Sequence, residues 1–432
     1  MTSRRDFLER MSLAFGGVAI GGPLLAFSPK TKKNLELLIA ELPNAEVRNE
    51  DFWGFVKQAY SSSGSLLNLN NGGVSPQPKV VQESFIEYYK LFNQAPSYYM
   101  WRIMTKEIEG VRQKVAEFSG VNADEIAFNR NTTEGLDTII HGLNLSKGDE
   151  VVIGNFDYPN MRQAWNQRVL RDGIDLKIVQ LQLPMNDEDE MVQAYVGRFS
   201  KKTKYVLLTH VINWTGQVLP VKRIAEEANK RGISVIVDAA HSFAHLDFKV
   251  SDFNADYLGT SLHKWLCAPF GTGMIYVRKG KISELWPSFS PPDPRSDDIR
   301  KFENLGTRNI GAELSIGKAL DFHELIGSQR KAERLLYLRN YWIQQAQDID
   351  GFQSFSPNNP DLSCALATVD IKGVEKLGQQ LQAKYNIHTT DIHHEGVDGV
   401  RITPNVYTSL KDLDRLVAAF RSIASKRSKS QE

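Results

Sequence analysis

The chain has 432 residues, 41% of them hydrophobic and 24% charged, which are the proportions of a soluble globular protein. Its 52 basic and 51 acidic residues leave a formal net charge of +1, so nucleic acid is not an expected partner. The length exceeds one ordinary domain and fits a large domain followed by a smaller one. The two cysteines, Cys267 and Cys364, belong to no CxxC or Cys-His cluster. A zinc site or a disulfide framework is therefore not expected, and one bond between the two cysteines is the remaining option.

The first 28 residues have the pattern of an export signal. Two consecutive arginines, Arg4 and Arg5, precede a moderately apolar, glycine-rich segment at residues 11–27. The pattern resembles a twin-arginine (Tat) signal, and the segment falls short of the ~20 strongly apolar residues that a membrane-spanning helix needs. We therefore predict recognition by the Tat export machinery and a periplasmic or exported protein. The alternatives are an ordinary basic amphipathic N-terminus and a cytoplasmic location.

Strand and helix patterns alternate through the middle of the chain. Short apolar runs predict strands at residues 125–128, 150–154, 174–183, 204–209, 233–237 and 274–277. Helical patterns between several of these runs imply right-handed crossovers and a largely parallel sheet, hence an α/β fold. We predict five segments: a signal segment (residues 1–28), an arm (29–65), a large domain (66–312), a small C-terminal α/β domain (313–426) and a tail (427–432).

Two loops of the predicted large domain are suited to binding ligands. Residues 66–73 predict a short strand followed by an Asn-Gly turn at Asn71, which brings backbone close to a ligand or forms a plain hairpin turn. Thr132 and Thr133 fall in the first turn of a predicted helix. Free N–H groups, hydroxyls and the helix dipole make that turn a site for phosphate. A capping box that includes Glu134 is the alternative.

Asp238 and Lys264 are the candidate catalytic residues. Asp238 ends the predicted strand at residues 233–237, at the edge where open α/β sheets bind ligands, and a carboxylate there needs a cationic partner. Lys264 lies between two apolar strands, so lost hydration lowers the pKa of its amine and makes it a nucleophile. This order of residues is the one that a pyridoxal 5'-phosphate (PLP) site requires. The alternative is a helix-capping aspartate and a surface lysine.

Arg401 lies in an apolar run that predicts a strand near the C-terminus. A buried guanidinium requires a carboxylate, and its fork geometry matches the α-carboxylate of an amino acid. A structural ion pair within the protein is the alternative.

The order Asp238, His241 and then Ser261-Leu262-His263-Lys264 resembles the class V aminotransferases among the fold-type I PLP enzymes. The resemblance covers most of the chain after about residue 60, and the isopenicillin N epimerase-like branch is the most similar part of the family. It implies an α/β fold-type I PLP-dependent transferase, with a mostly parallel seven-stranded sheet in the large domain and a smaller C-terminal α/β domain. It also implies that Arg401 binds the substrate carboxylate.

The resemblance further implies roles around the cofactor. Phosphate contacts are implied for Thr132, Thr133, Ser261 and His263. For the ring, it implies stacking by Tyr158 and a contact near the phenolic oxygen by Asn213. His241 stands where many relatives have a glutamine bonded to that oxygen, and a histidine can donate the same hydrogen bond. A place near the substrate is implied for Asn71.

Residues 302–309 resemble the Gly-Thr element by which this family reaches across a dimer interface. The resemblance implies a homodimer with shared active sites, in which Thr307 contacts the partner's cofactor phosphate. Arg308 stands where many relatives have proline, and its expected contact is phosphate or substrate. An ordinary surface loop is the alternative.

The implied activity is PLP-dependent chemistry at Cα of an amino acid or amino-acid-derived substrate, of the epimerase or aminotransferase type. A C–S lyase is the alternative. Cysteine desulfurases of this family place a nucleophilic cysteine just ahead of the carboxylate-binding arginine, and residues 385–400 contain none. His393 and His394 point in different directions and are expected in an active-site flap rather than at a metal. A non-catalytic ligand-binding protein of the same fold is the remaining alternative, and Lys264 with Asp238 argues against it.

Overall fold

The computed structural model describes residues 47–431. The predicted export signal and the start of the predicted arm lie outside this range. Within the described range, no helix combines the length and the apolar character that a membrane span requires. Cys267 and Cys364 are both buried and free, so the two cysteines form no disulfide.

The strands group into three sheets. In chain order they are β1 (Leu67–Asn68), β2 (Ile126–Asn129), β3 (Glu150–Gly154), β4 (Asp175–Val179), β5 (Thr203–Thr209), β6 (Ser234–Asp238), β7 (Tyr257–Ser261), β8 (Gly273–Val277), β9 (Phe352–Ser354), β10 (Ala367–Ile371), β11 (Ile387–His388), β12 (Thr390–His394) and β13 (Val397–Ile402). The largest sheet has seven strands in the order β2-β8-β7-β6-β5-β3-β4. Only β8 runs antiparallel to its neighbours, which confirms the predicted mostly parallel seven-stranded sheet.

Helices cover both faces of this sheet. The α-helices are α1 (Glu50–Gln58), α2 (Lys79–Gln94), α3 (Ile108–Ser119), α4 (Thr132–Gly142), α5 (Pro159–Asp172), α6 (Glu188–Val196), α7 (Val221–Asn229), α8 (Ile310–Ile326), α9 (Ser328–Ala346), α10 (Leu377–Tyr385) and α11 (Leu410–Gln431). Successive side chains of a strand point to opposite faces. Val235 and Val237 therefore pack with α3, α6, α7 and α8, whereas Ile236 packs with α4 and α5. This two-sided burial explains the nearly continuous apolar sequence of β6.

A smaller antiparallel sheet, in the order β12-β13-β10-β9, lies in the C-terminal part of the chain. Its apolar face packs against α9 and α11. The short strand β1 pairs in parallel with β11, and Leu67 and Leu69 are buried in the same core. The first residues that we assigned to the large domain thus pack with the C-terminal sheet, because their apolar side chains are covered there.

The loop after β5 is held tightly against the C-terminal part. Gly216 has a φ of +77°, and a Cβ at this position would lie 2.1 Å from the carbonyl oxygen of Leu366. The hydroxyls of Ser356 and Thr368 donate to the carbonyl groups of Thr215 and Trp214 in the same loop. Backbone contacts, which any side chain at residue 216 would disturb, therefore join the two parts.

We expect Gly216→Ala to destabilise the protein by roughly 1–3 kcal/mol more than Gly232→Ala. Both glycines have positive φ values, but a Cβ at Gly232 would meet no atom within 4 Å. The cost of a positive φ for alanine is therefore common to both variants, and the difference in their free energies of unfolding reports the clash with Leu366. Thermal melts of both variants measure the difference, and equal melting temperatures would contradict the described contact.

Candidate active site

A cavity of about 290 Å³ opens at the carboxyl edge of the seven-stranded sheet. The loops that follow β3, β5, β6 and β7 and the start of α4 supply most of its wall, because parallel strands end at the same edge. Predicted site residues line it, and they are Thr132, Thr133, Tyr158, Asn213, Asp238, His241, Ser261, His263, Lys264 and Arg401. The structure therefore brings together all the predicted site residues except Asn71 and Thr307.

The Lys264 side chain reaches this cavity from the loop after β7. Its Nζ lies 3.2 Å from Nε2 of His241. Burial lowers the pKa of the Lys264 amine to about 8; the Asp238 carboxylate opposes this shift and the Arg401 guanidinium adds to it. A larger fraction of this amine than of an ordinary lysine is therefore unprotonated near neutral pH, as a nucleophile or base requires.

Asp238 ends β6 and is 4% exposed. One carboxylate oxygen accepts a hydrogen bond of 2.9 Å from the N–H of Ala240. Burial raises the pKa of Asp238, while the Ala240 N–H and the charge of Lys264 act in the opposite direction. A protonated ring nitrogen facing this carboxylate would provide the cationic partner that its burial demands.

His241 lies between Lys264 and the Asn-Gly turn. Burial, together with the positive charge of Lys264, lowers its pKa well below the usual value, so the ring is neutral. Its Nδ1 is buried and bonds to no group of the described residues. A Cβ on Gly72 would lie 3.3 Å from Cε1 of this ring. The turn thus leaves room for an imidazole that has one nitrogen directed at Lys264 and the other free for a ligand.

The start of α4 presents the groups that the predicted anion site requires. The N–H of Thr132 donates to Oγ of Ser261 at 2.9 Å, and the hydroxyls of these two residues lie 2.7 Å apart. The helix is capped by Asn131, whose Oδ1 accepts from the N–H of Glu134. Capping therefore needs neither threonine hydroxyl: that of Thr132 is bonded to Ser261, and that of Thr133 is available for a phosphate at the positive end of the helix.

His263 lies beside this anion site in a fixed orientation. Its Nδ1 donates to the carbonyl oxygen of Thr272 at 2.9 Å, because a carbonyl can only accept. Burial lowers the pKa of His263, and the nearby Lys264 charge lowers it further. In the neutral ring, Nε2 is a hydrogen-bond acceptor. It could donate to a phosphate only after it is protonated. The negative charge of a bound phosphate favours that protonation.

Arg401, on β13, has no carboxylate partner among residues 47–431 and is 6% exposed. Its Nη atoms donate to the carbonyl of Asn213 at 3.0 Å and to Oδ1 of Asn70 at 3.2 Å, and its Nε bonds to no described group. Burial lowers its pKa to about 10, and Tyr158 opposes that shift. The alternative of a structural ion pair is therefore wrong within the described residues, and a substrate carboxylate fits instead.

Asn71 and Thr307 do not line the cavity. The amide of Asn71 donates to the Thr403 carbonyl at 2.7 Å and accepts from the Tyr407 hydroxyl at 2.6 Å, so its side chain braces the turn while Gly72 and Gly73 face the cavity. Thr307 is exposed, and its predicted contact concerns a partner subunit.

Arg308 is held within its own chain. Its guanidinium bonds to Glu313 at 2.6 Å and to Glu303 at 3.2 Å. These ion pairs engage the Arg308 guanidinium within its own chain, and they link Glu303 and Glu313 on the two sides of Thr307.

Sequence reasoning missed three residues around the site. Asn70 bonds to Arg401, as described above. Asp157 is buried behind the cavity, where it accepts from Thr209 Oγ1 at 2.7 Å and from the N–H of Gly154 at 2.8 Å; burial raises its pKa to about 7, and the charge of Asp238 adds to this. Thr209 itself lines the cavity. A polar residue in the loop that leaves a buried strand, as Asp157 is three positions after β3, was the available indication.

The tip of the β12–β13 hairpin contacts the large domain. His394 stacks on Trp214 with ring centres 4.2 Å apart, and its Nε2 donates to the Asn155 carbonyl at 3.0 Å. His393 points away and bonds to Asp398 at 2.7 Å. Among the described residues no group of ligands could hold a metal ion. The hairpin therefore closes against the loops of β3 and β5, near the cavity.

The residues of the cavity fit PLP. Hydroxyls at a helix N-terminus suit its phosphate, a buried carboxylate suits its ring nitrogen, and the small Ala240 leaves space for a flat ring. Two buried polar atoms, Nδ1 of His241 and Oδ1 of Asn213, have no partner among the described residues. Both are available to polar groups of the cofactor.

Comparison with known proteins gives the family. The model of the family described as "Aminotransferase class-V" matches residues 67–416. Isopenicillin N epimerase of Streptomyces clavuligerus is 26% identical over 374 residues, which cover 82% of this chain and 94% of that protein. A probable cysteine desulfurase of Methanothermobacter thermautotrophicus is 29% identical over 309 residues, covering 67% and 75%. A solved structure of a C-DES variant, with glycine covalently linked to its PLP cofactor, has a TM-score of 0.78 at 20% identity and covers 85% of this chain and 99% of that one. The protein is thus a PLP-dependent enzyme of the fold-type I architecture, and it belongs to the class V aminotransferase family.

Proposed function

We propose that this enzyme removes the proton at Cα of an amino acid or amino-acid-derived substrate and returns it to the opposite face, inverting the configuration. The observation that carries the proposal is the buried amine of Lys264, which has a pKa of about 8 and shares one cavity with Asp238 and Arg401. Similarity to isopenicillin N epimerases over most of the chain supports inversion as the outcome.

Each of these residues has a separate task. Bound PLP supplies the electron sink that makes the Cα proton acidic. Arg401 binds the α-carboxylate and so fixes Cα beside the Lys264 amine, which takes the proton. Asp238 holds a proton on the ring nitrogen. His241 lies close enough to Lys264 to exchange a proton with it.

The positions of the two cysteines do not favour desulfuration through a protein persulfide. The β12–β13 hairpin ahead of Arg401 has no cysteine. Burial raises the pKa of Cys364 to about 12, so this thiol is unreactive. Cys267 is buried in the core, within 3.9 Å of the Tyr60 hydroxyl.

A C–S lyase is the second candidate, because similarity to probable cysteine desulfurases extends over two thirds of the chain. Loss of a β-substituent begins with removal of the same Cα proton, so it would use the same lysine and aspartate. Transamination also begins with this step. The products distinguish the three reactions.

We also infer a homodimer and export through the Tat route. Thr307 is exposed and does not line the cavity of its own chain, which supports a role at the site of a second subunit. The paired arginines at positions 4 and 5 support export.

The direct test is incubation of the PLP-loaded protein with the proteinogenic L-amino acids and their D-enantiomers in deuterated water. We expect deuterium at Cα of at least one amino acid, together with its opposite enantiomer, measured by mass spectrometry and chiral chromatography. Pyruvate or ammonia instead would indicate a lyase, and a keto-acid-dependent amino transfer would indicate an aminotransferase. The absence of Cα exchange for every compound would contradict the proposal.

We expect borohydride to trap PLP on Lys264 and not on Lys331. Loss of hydration lowers the pKa of both amines to about 8, but Lys331 does not line the cavity. Peptide mapping of the reduced protein should find the label on Lys264, and Lys331→Met should keep it while Lys264→Ala loses it. Attachment should become faster between about pH 6.5 and pH 9.5 with a midpoint near 8, since only the free amine attacks, whereas an ordinary lysine would have a midpoint near 10.4. A label on Lys331 would refute the assignment.

We expect Arg401→Lys to raise KM for the amino acid about 10- to 100-fold with a smaller effect on kcat, because a point charge cannot replace two parallel charge-assisted bonds. Steady-state kinetics measures both constants. The control is Arg171→Lys, at an exposed ion pair with Asp172, which should leave both constants unchanged. A KM unchanged in Arg401→Lys would show that the carboxylate binds elsewhere.

A further inference from the structure

Lys264 and Tyr158 enter the cavity from loops on opposite sides. Lys264 follows β7 and Tyr158 follows β3, and the strands β6 and β5 lie between them in the sheet. At about 4.8 Å between neighbouring strands, their origins are roughly 14 Å apart along the edge. Asp238 at the end of β6 lies between the two loops. A flat group that rests against Asp238 with its plane across the sheet edge would therefore have the lysine loop on one side and the tyrosine loop on the other.

The backbone of Tyr158 is firmly placed. Tyr158 is the residue before α5, and its carbonyl accepts the N–H groups of Met161 at 2.9 Å and Arg162 at 3.1 Å. Pro159 follows and disfavours the helical region for Tyr158, whose φ of −56° and ψ of 136° lie in the polyproline II region. The ring therefore projects from a rigid helix start and not from a loose loop.

The hydroxyl of Tyr158 is free to react. It makes no hydrogen bond to any group in the part of the chain from residue 47 to residue 431, and the side chain is 40% exposed, so it can exchange protons with water. Tyr158 and Arg401 line the same cavity. Since Arg401 is assigned to the α-carboxylate, the carbon bonded to that carboxylate, Cα, lies in the same region.

We propose that Tyr158 is a second catalytic acid–base residue, which serves the face of Cα opposite Lys264. The proposal rests on the proposed inversion at Cα. In one direction the Lys264 amine breaks the Cα–H bond and becomes an ammonium, and the electron pair stays in the conjugated system. The Tyr158 O–H then gives its proton to the other face and becomes a phenolate. Water carries a proton from the ammonium to the phenolate, so no proton is gained or lost overall, and the reverse direction exchanges the two roles.

A purely packing role for Tyr158 makes a different prediction. A ring that only stacks on the cofactor could be replaced by phenylalanine, which has the same aromatic face, without loss of inversion. A proton donor could not be replaced in this way. The Tyr158→Phe substitution, which removes only the hydroxyl group, therefore distinguishes the two roles.

The experiment compares Tyr158→Phe, Tyr158→His and Tyr158→Ala with the unchanged protein. PLP affinity, measured by absorbance titration of the PLP-free protein, should stay within about twofold in Tyr158→Phe and fall in Tyr158→Ala, since only the latter loses the ring. In deuterated water with the amino acid panel, Tyr158→Phe should still exchange the Cα hydrogen of one enantiomer with retention, through Lys264. Its rate of inversion should fall about 10²- to 10⁴-fold. Tyr158→His should restore part of the inversion, because an imidazole can also donate a proton.

Tyr89→Phe is the matched control, since Tyr89 is exposed on α2 and does not line the cavity. It should change neither affinity nor inversion. Full inversion by Tyr158→Phe would overturn the proposal. The proposal would also be overturned if the unsubstituted protein exchanged Cα hydrogen but inverted no amino acid. If the unchanged protein exchanges none, the proposed function itself fails, which is a distinct result.

Discussion

The active site depends on the burial of one amine without a protein carboxylate in contact with it. Lys264 lies in a cavity where Asp238 is near enough to oppose the loss of its charge but is bonded to the Ala240 N–H instead. Its described hydrogen-bond partner is His241, which is neutral. A direct ion pair with Asp238 would keep the amine protonated and unreactive. Asp238 ends β6 and Lys264 follows β7, so the positions of these two strands keep the carboxylate and the amine apart.

Burial alone does not make a lysine reactive. Lys331 and Lys301 are also buried, and each has a pKa lowered to about 8. Both donate to backbone carbonyl groups, Lys331 to Trp265 and Lys301 to Ile282 and Pro294. These bonds hold loops in place, and that of Lys331 fixes the residue directly after Lys264. The lysine that we propose as catalytic therefore differs from these structural lysines in the group that its amine faces.

Much of the fold and most of the site could be predicted from the sequence because they depend on local patterns. Apolar runs predicted the strands, the position directly after one run predicted Asp238, and the first turn of a helical pattern predicted the threonines of α4. Long-range packing was not accessible in this way. The turn at Asn71 was found, but Tyr407 and Thr403, more than 330 positions away, direct its side chain inward. Asn70 was missed for the same reason, since only the assembled structure places it beside Arg401.

The bond between Asn70 and Arg401 spans 331 positions and joins the first described strand region to the last. All strands of the seven-stranded sheet, and the lysine loop, are complete by Val277. Ribosomal synthesis proceeds from the N-terminus at about 5–20 residues per second, and domains fold largely as units during it. The residues proposed to hold the cofactor are therefore synthesised before Arg401, which is proposed to bind the carboxylate, and the emerging polypeptide presents them to the cell in that order.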